Sequence, residues 1–257
     1  MDLLCPVCME VLSKDLNRYR CINGHSFDIA KEGYLNLSLR SSIRSGDEKE
    51  MIRARKAFLE KGHYQFLRDR LNDIISELRP KSLLDLGCGE GYYTQSFNVR
   101  DKLGIDLSKE ALRLASRHDK TTMYVLKTIF DVPLPDKSID LITTIFAPVS
   151  KEISRVLKDE GYFILVRPDA KHLYELKTAV YDSPYLNETD DVRVENMKLV
   201  NEYRIDSKAV LRNEELIDLF KMTPYYHKTS ANDFNKLSDI SELAVTFAFI
   251  IDLYKKI

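Results

Sequence analysis

Leu83-Leu84-Asp85-Leu86-Gly87-Cys88-Gly89-Glu90-Gly91-Tyr92-Tyr93 decides the fold of this chain. Its first four residues are a short apolar run with a single acid, the pattern of a strand buried inside a parallel sheet. The run breaks straight into three glycines at alternate positions, where the chain must turn tightly and let a ligand approach its backbone. Such a turn cradles a nucleotide-like cofactor. The dinucleotide fingerprint, Gly-x-Gly-x-x-Gly, would need glycine where Tyr92 stands, and it has no use for an acid two residues before the first glycine. A dinucleotide is thereby disfavoured.

The pattern Asp-x-Gly-x-Gly-x-Gly from Asp85 to Gly91 resembles motif I of the S-adenosylmethionine-dependent methyltransferases, in which the acid positions the cofactor's methionine end through the loop. The next strand, 102–107, brings in Asp106, and a carboxylate there can accept both ribose hydroxyls. From residue 82 onward the chain alternates. Strand 82–86 precedes a helix from Tyr92; strand 102–107 precedes a helix capped by Ser108; strand 122–127 leads into an irregular piece ending at Pro133 and Pro135. Strand 139–146, helix 150–158, strand 162–166 and a helix over 172–181 follow. This rhythm predicts an α/β, doubly wound, largely parallel sheet, with ligands outside the carboxyl ends of its strands. Residues 87–91, Asp106, 128–131, 146–148 and 167–172 are then expected to face one crevice. In the last 75 residues, strands at 200–205 and 244–250 flank a helix at 213–220, the final strand completing the sheet.

Cysteine usage marks a second unit. Cys88 lies in the glycine turn, whereas the other three cysteines fall in the first 21 residues, spaced Cys5-x2-Cys8, twelve residues, then Cys21-x3-His25. Each half reads as a knuckle, with Pro6 in one and Asn23-Gly24 in the other, so that four ligands converge tetrahedrally. Four protein ligands fill the coordination sphere of zinc and leave no place for a catalytic water. The expectation is a structural metal in a ribbon too short to fold on its own core. A redox Cys-x-x-Cys would need a thioredoxin-like unit around it, and a disulfide framework is disfavoured in a cytoplasmic chain. Residues 19–21 and 26–29 read as short strands of the ribbon, 41–50 as a mobile loop, and 49–60 as helical in composition. Residues 63–78 form a clearer helix, with Leu67, Leu71, Ile74, Ile75 and Leu78 on one stripe and Pro80 ending it. These helices are expected to wall the cofactor site and bring His63 and Tyr64 within reach of the ligand. The expected division is 1–40, zinc-binding ribbon; 41–80, helical linker region; 81–257, Rossmann-like methyltransferase domain.

Composition sets the bounds. Hydrophobic content of 44%, charged content of 31% and a net charge of −1 are ordinary for a globular chain of 257 residues. The basic lean sits at 31–70, with ten basic and six acidic residues, more often a solvated face than a nucleic-acid footprint. The longest nearly apolar run, 243–251, is too short to span a bilayer, and the N-terminus has no basic-then-apolar signal pattern, so a cytoplasmic location is expected.

The knuckle pair, Ala30-Lys31-Glu32-Gly33-Tyr34-Leu35-Asn36-Leu37, Gly62-His63-Tyr64-Gln65, the glycine turn, Phe146-Ala147-Pro148, His172-Leu173 and Met222-Thr223-Pro224 together resemble the RlmA family of bacterial 23S rRNA (guanine-N1)-methyltransferases. The likeness runs through nearly the whole chain in order. It implies an N-terminal zinc domain, a Rossmann-like domain using S-adenosylmethionine, and as substrate a guanine in a domain II hairpin of 23S rRNA, met as naked RNA or in a ribosomal precursor particle. It places zinc on Cys5, Cys8, Cys21 and His25, and cofactor contacts on Tyr64, Gly89, Glu90 and His172, beside Asp85, Gly87, Gly91 and Asp106 of the motif. Family members modify one of two nearby guanines, and no residue here chooses between them. The family's tyrosine before Ala147-Pro148 is Phe146 here, which puts a hydroxyl role there in doubt. A homodimer is one option the sequence leaves open.

Guanine N1 lies on the Watson–Crick edge and carries a proton at neutral pH, so the base must be unpaired or flipped and the proton needs an acceptor. Asp169, His172 and Asp131 are the candidates, with His172 favoured instead as a cofactor contact. Alignment of nucleophile and methyl group supplies up to about 7–11 kcal/mol. An Asn-Pro-Pro-aromatic motif is absent after strand 139–146, which argues against exocyclic-amine methylation, and no cysteine stands where a pyrimidine C5 methyltransferase needs its nucleophile. Two other readings compete: a small-molecule or protein methyltransferase with a structural zinc ribbon, and a non-catalytic rRNA-binding assembly protein.

Overall fold

The computed structural model describes residues 1–39 and 46–257. Strands β1 (Ser13–Asp15), β2 (Arg18–Arg20) and β3 (Ser26–Asp28) form a small antiparallel sheet, and β4 (Leu35–Asn36) follows. Two helices come next, α1 (Gly46–Glu60) and α2 (Gln65–Leu78). Of the loop expected at 41–50, residues 46–50 therefore open a helix, and 41–45 lie outside the described residues. Then follow β5 (Ser82–Leu86), β6 (Asp101–Asp106), α3 (Lys109–His118), β7 (Thr122–Leu126), β8 (Ile139–Ile145), α4 (Glu152–Val156), β9 (Leu157–Pro168), α5 (Tyr174–Val180), β10 (Met197–Arg212), α6 (Asn213–Lys221), α7 (Ala231–Asn235) and β11 (Glu242–Lys256).

Eight strands make one sheet in the order β10-β11-β9-β8-β5-β6-β7-β4. Strands β4 to β9 run parallel, and β11 is antiparallel to both neighbours. The order reverses at β5, which has β6 on one side and β8 on the other, so the glycine turn leaves the sheet at its switch point. Every residue of β5 is buried, and its side chains alternate between faces. Leu83 joins the core under α2, α5 and α6, whereas Leu84 and Leu86 join a core on the opposite face.

That second core is shared with the ribbon. Leu3, Cys5, Leu12, Cys21, Leu35 and Leu37 pack in one cluster with Leu84, Leu86, Leu103, Ile105 and Val125. Leu4 N–H donates to the Pro133 carbonyl, and β4 adds a parallel edge to β7 with Leu35 opposite Val125. The 30–37 motif accounts for this docking. Gly33 turns at φ +116°, and Glu32 accepts from Arg113 (3.0 Å) and Arg117 (3.2 Å) of α3.

Four expectations need correction. The helix from Tyr92 is only a 3-10 turn, Thr94–Ser96, because Phe97 and Val99 must reach the core before β6 begins. Helix 150–158 shortens to α4 because Leu157 already enters β9. The helix over 172–181 starts at Tyr174, after Leu173 in a left-handed conformation. Strands at 200–205 and 244–250 are the middles of a 16- and a 15-residue strand paired along nearly their whole length.

Candidate active site

Sγ of Cys5, Cys8 and Cys21 and a ring nitrogen of His25 all lie within 4.8 Å of one another. Cys21 Sγ is 3.3 Å from His25 Nδ1, and Cys8 Sγ is 3.6 Å from Cys21 Sγ. Such edges suit a tetrahedral ion with Zn–S of about 2.3 Å. The two knuckles are backbone-defined: Met9 N–H donates to the Cys5 carbonyl and Gly24 N–H to that of Cys21, with Met9 at φ +60° and Gly24 at φ +86°. Three thiolates and an imidazole fit zinc, and the closed set fits a structural role.

The glycine turn is held from both sides. Gly87, Gly89 and Gly91 all have positive φ, the region open to glycine at little cost. A Cβ on Gly87 would lie 2.6 Å from the Cβ of Ala147, so the Phe146-Ala147 corner after β8 rests on the turn. Asp106 accepts from Gly89 N–H and Ser108 N–H, both at 2.8 Å, and burial raises its pKa. Asp106 thus fixes the turn, with a second lone pair on each oxygen left for a ribose. Asp85 is buried beneath, accepting from Thr94 Oγ1 (2.5 Å) and Thr143 Oγ1 (2.9 Å). It lines neither cavity described below, and its contacts lie beneath the turn.

Burial pushes the Asp85 carboxyl up to about 6. Between the unfolded value near 4 and this one, the folded state binds more protons, so ionising Asp85 removes stability as pH rises through that window. The unfolding free energy of Asp85→Asn relative to wild type should therefore improve by roughly 2–3 kcal/mol from pH 4 to pH 7. Urea titrations at both pH values check this, and a pH-independent difference would contradict it.

Beside the turn, at the carboxyl ends of β8 and β9, lies a cavity of about 410 Å³. Tyr64, Phe146, His172 and Tyr225 line it together with Arg55 and Arg167, and among the described residues no carboxylate does. His172 Nδ1 accepts from Ala248 N–H at 3.2 Å, and burial, then Lys177, holds its pKa down to about 3. The ring is neutral at pH 7 with its proton on Nε2, so it is a donor and a poor base. Asp169 pairs with Arg204 (3.0 Å) and lines a separate depression. Asp131 pairs with Lys127 (2.5 Å), and neither it nor residues 128–130 line the cavity. Of the three proton-acceptor candidates, the fold brings only His172 to it. His63 also turns away. Its Nε2 is 3.1 Å from Glu215 of α6, and its ring lies against Phe58, whereas Tyr64 is buried in the cavity wall.

Two sets of residues escaped sequence reasoning. Arg55 of α1 reaches over the turn, its Nε donating to both oxygens of Glu90 at 3.1 and 2.9 Å. In sequence it is one cation in a charged helix. Asn187 is the other, accepting from Lys177 Nζ (2.6 Å) and the Tyr225 hydroxyl (3.0 Å) while donating to the carbonyls of Asp169 and His172. It ties segment 181–196 to the cavity wall. No local pattern signals it. The basic lean of 31–70 is also partly structural, since Arg55 is paired, Arg68 lies over the Tyr92 ring and Arg70 over the Tyr203 ring.

The sheet order, the glycine turn with its two acids and the closed metal cluster define an S-adenosylmethionine-dependent methyltransferase with an N-terminal zinc ribbon. Residues 3–38 match the model of the RlmA N-terminal zinc ribbon, and residues 84–165 match a methyltransferase domain model. A 23S rRNA (guanine(748)-N(1))-methyltransferase of Streptomyces fradiae is 34% identical over 188 residues, covering 69% of this chain and 67% of its own length. YxjB of Bacillus subtilis (strain 168), which carries a provisional 23S rRNA (guanine-N(1)-)-methyltransferase name, is 28% identical over 264 residues, 94% of this chain and 93% of its own. The chain belongs to the 23S rRNA (guanine-N1)-methyltransferase family. Among the described residues no helix is long and apolar enough to cross a membrane.

Proposed function

We propose that the chain transfers the methyl group of S-adenosylmethionine to N1 of a guanine in the domain II hairpin of 23S rRNA. The observation that carries this reading is the aromatic cavity beside the glycine turn, large enough for a flipped base and, among the described residues, lined by no carboxylate. Phe146 stands at its mouth, 37% exposed, with φ at +60° and its ring 5.2 Å from that of Phe249. A left-handed backbone costs a bulky residue about 1–2 kcal/mol and persists where the surroundings impose it. The benefit here is a stacking platform, worth roughly 1–3 kcal/mol per base. Bound S-adenosylmethionine would supply its methyl group to N1 by in-line displacement with S-adenosylhomocysteine as leaving group, and the N1 proton would pass to solvent. The His172 Nε2–H, a donor in the cavity wall, favours the deprotonated base. Asp169 or Asp131 would first have to leave Arg204 or Lys127 to serve as acceptor.

The ribbon (residues 1–40 in this division of the chain) holds the RNA. Lys14, Arg18 and Arg20 are exposed on β1 and β2, beside Leu16 and Ile22, which are 87% and 88% exposed. The test is methylation of a hairpin transcript by the purified protein, followed by nucleoside analysis. 1-Methylguanosine is expected, and transfer to small acceptors without RNA would contradict the reading. Phe146→Ala should lower transcript methylation about 10- to 100-fold while affinity for S-adenosylhomocysteine stays within about threefold. Phe146→Tyr should retain activity. An unchanged rate in Phe146→Ala would remove this ring from the base site.

A further inference from the structure

The Arg55–Glu90 pair sits on the glycine turn with one half unused. Only Nε of Arg55 donates to Glu90, and among the described residues Nη1 and Nη2 have no hydrogen-bond partner. Arg55 lines the aromatic cavity, and Glu90 lines a smaller one of about 230 Å³ on its other side. The side chains are 23% and 7% exposed, so the pair is largely desolvated. Such a pair contributes little net stability unless further hydrogen bonds satisfy it. Two buried phenols stand beside it, and among the described residues the hydroxyls of Tyr92 and Tyr93 have no partner either. The Tyr93 ring is 6.5 Å from that of Phe146, at the cavity mouth. Unsatisfied buried donors around a half-used guanidinium describe a site that a polar ligand completes.

The α-amino acid end of S-adenosylmethionine is a zwitterion, an anion and a cation on one carbon. We propose that Arg55 and Glu90 form a zwitterion clamp for it: the Nη nitrogens of Arg55 take the carboxylate with help from the Tyr93 hydroxyl, and Glu90 takes the ammonium. The two side chains neutralise each other across the turn until the ligand offers each an opposite charge. Guanidinium meets carboxylate through two parallel donors, a geometry lysine cannot copy. Arg55 and Tyr93 are positioning residues here. They orient the sulfonium without touching the reacting atoms. The assignment is independent of which nucleotide is methylated, so it stands or falls apart from the RNA reading.

Calorimetric titration of the full-length protein without RNA tests it, using S-adenosylhomocysteine and 5′-methylthioadenosine, which shares the adenosine but lacks the amino acid end. Arg55→Met should weaken S-adenosylhomocysteine binding at least tenfold and leave methylthioadenosine within twofold. Tyr93→Phe should show a smaller selective loss. Should Arg55→Met lose its cooperative thermal transition, Arg55→Lys decides, since it keeps the charge and is expected to show the same selectivity. Equal weakening of both ligands, or of neither, would overturn the clamp.

Discussion

Removing the zinc, by a strong chelator or by Cys21→Ser, is expected to unfold the ribbon and lower the thermal midpoint of the whole protein by about 10 °C or more. The sequence alone suggests a cleaner outcome, in which RNA methylation is lost and the cofactor site is untouched. The fold modifies that expectation, because Leu3, Leu12, Leu35 and Leu37 cover the same sheet face as Leu84, Leu86 and Val125. Each buried leucine is worth roughly 1.5–3 kcal/mol, against a net stability of about 5–15 kcal/mol for a typical domain. Well below the transition, affinity for S-adenosylhomocysteine should still stay within about threefold, since the glycine turn lies at the carboxyl ends of the strands and is held by Asp106 and Ala147. Differential scanning calorimetry with and without metal checks the first part. An unchanged midpoint would mean that the metal does not hold the ribbon to the sheet.

Gly87→Ala is expected to reduce cofactor affinity by a hundredfold or more. The residue sits at φ +80°, and the new methyl would stand 2.6 Å from the Ala147 Cβ, an atom fixed to the backbone. Left-handed strain of about 1–2 kcal/mol adds to an overpacking cost of about 1–3 kcal/mol. Relief requires separating the turn from the Phe146-Ala147 corner, which pulls the cofactor's cradle from the aromatic cavity. Gly89→Ala makes the contrast, because among the described residues its added Cβ would meet only Arg55 Nε, at 3.9 Å. It should retain the fold and show the backbone strain alone. Equal affinities for the two variants, measured by calorimetry, would contradict this account of the turn.

Much of the site was legible because its signals are local. Soft ligands at knuckle spacing, a buried strand running into alternate glycines, and an acid closing the next strand each sit within a few residues. Arg55 and Asn187 were not, because each acts on a partner far along the chain: Arg55 on Glu90, and Asn187 on Tyr225. His63 and Tyr64 illustrate the limit of local reading. Both open the same turn before α2, yet only packing sends one to Glu215 and the other into the cavity. The fold shows the same division. Both long strands were read only in part, 200–205 of β10 and 244–250 of β11: β11 is a nearly continuous buried run, whereas half-exposed β10 carries polar residues through much of its length and is extended by pairing with β11. The short element after the glycine turn was overread as a helix because tertiary burial of Phe97 and Val99 outweighs local propensity there.

The central claim is methylation of guanine N1 in 23S rRNA, and its most direct test is mass spectrometry of 23S rRNA fragments from cells with and without this gene. Loss of one 1-methylguanine from the domain II hairpin in the deletion strain, restored by the wild-type gene and not by Gly87→Ala, is the predicted result, and it also shows which guanine is the target. An unchanged hairpin in the deletion strain would contradict the account.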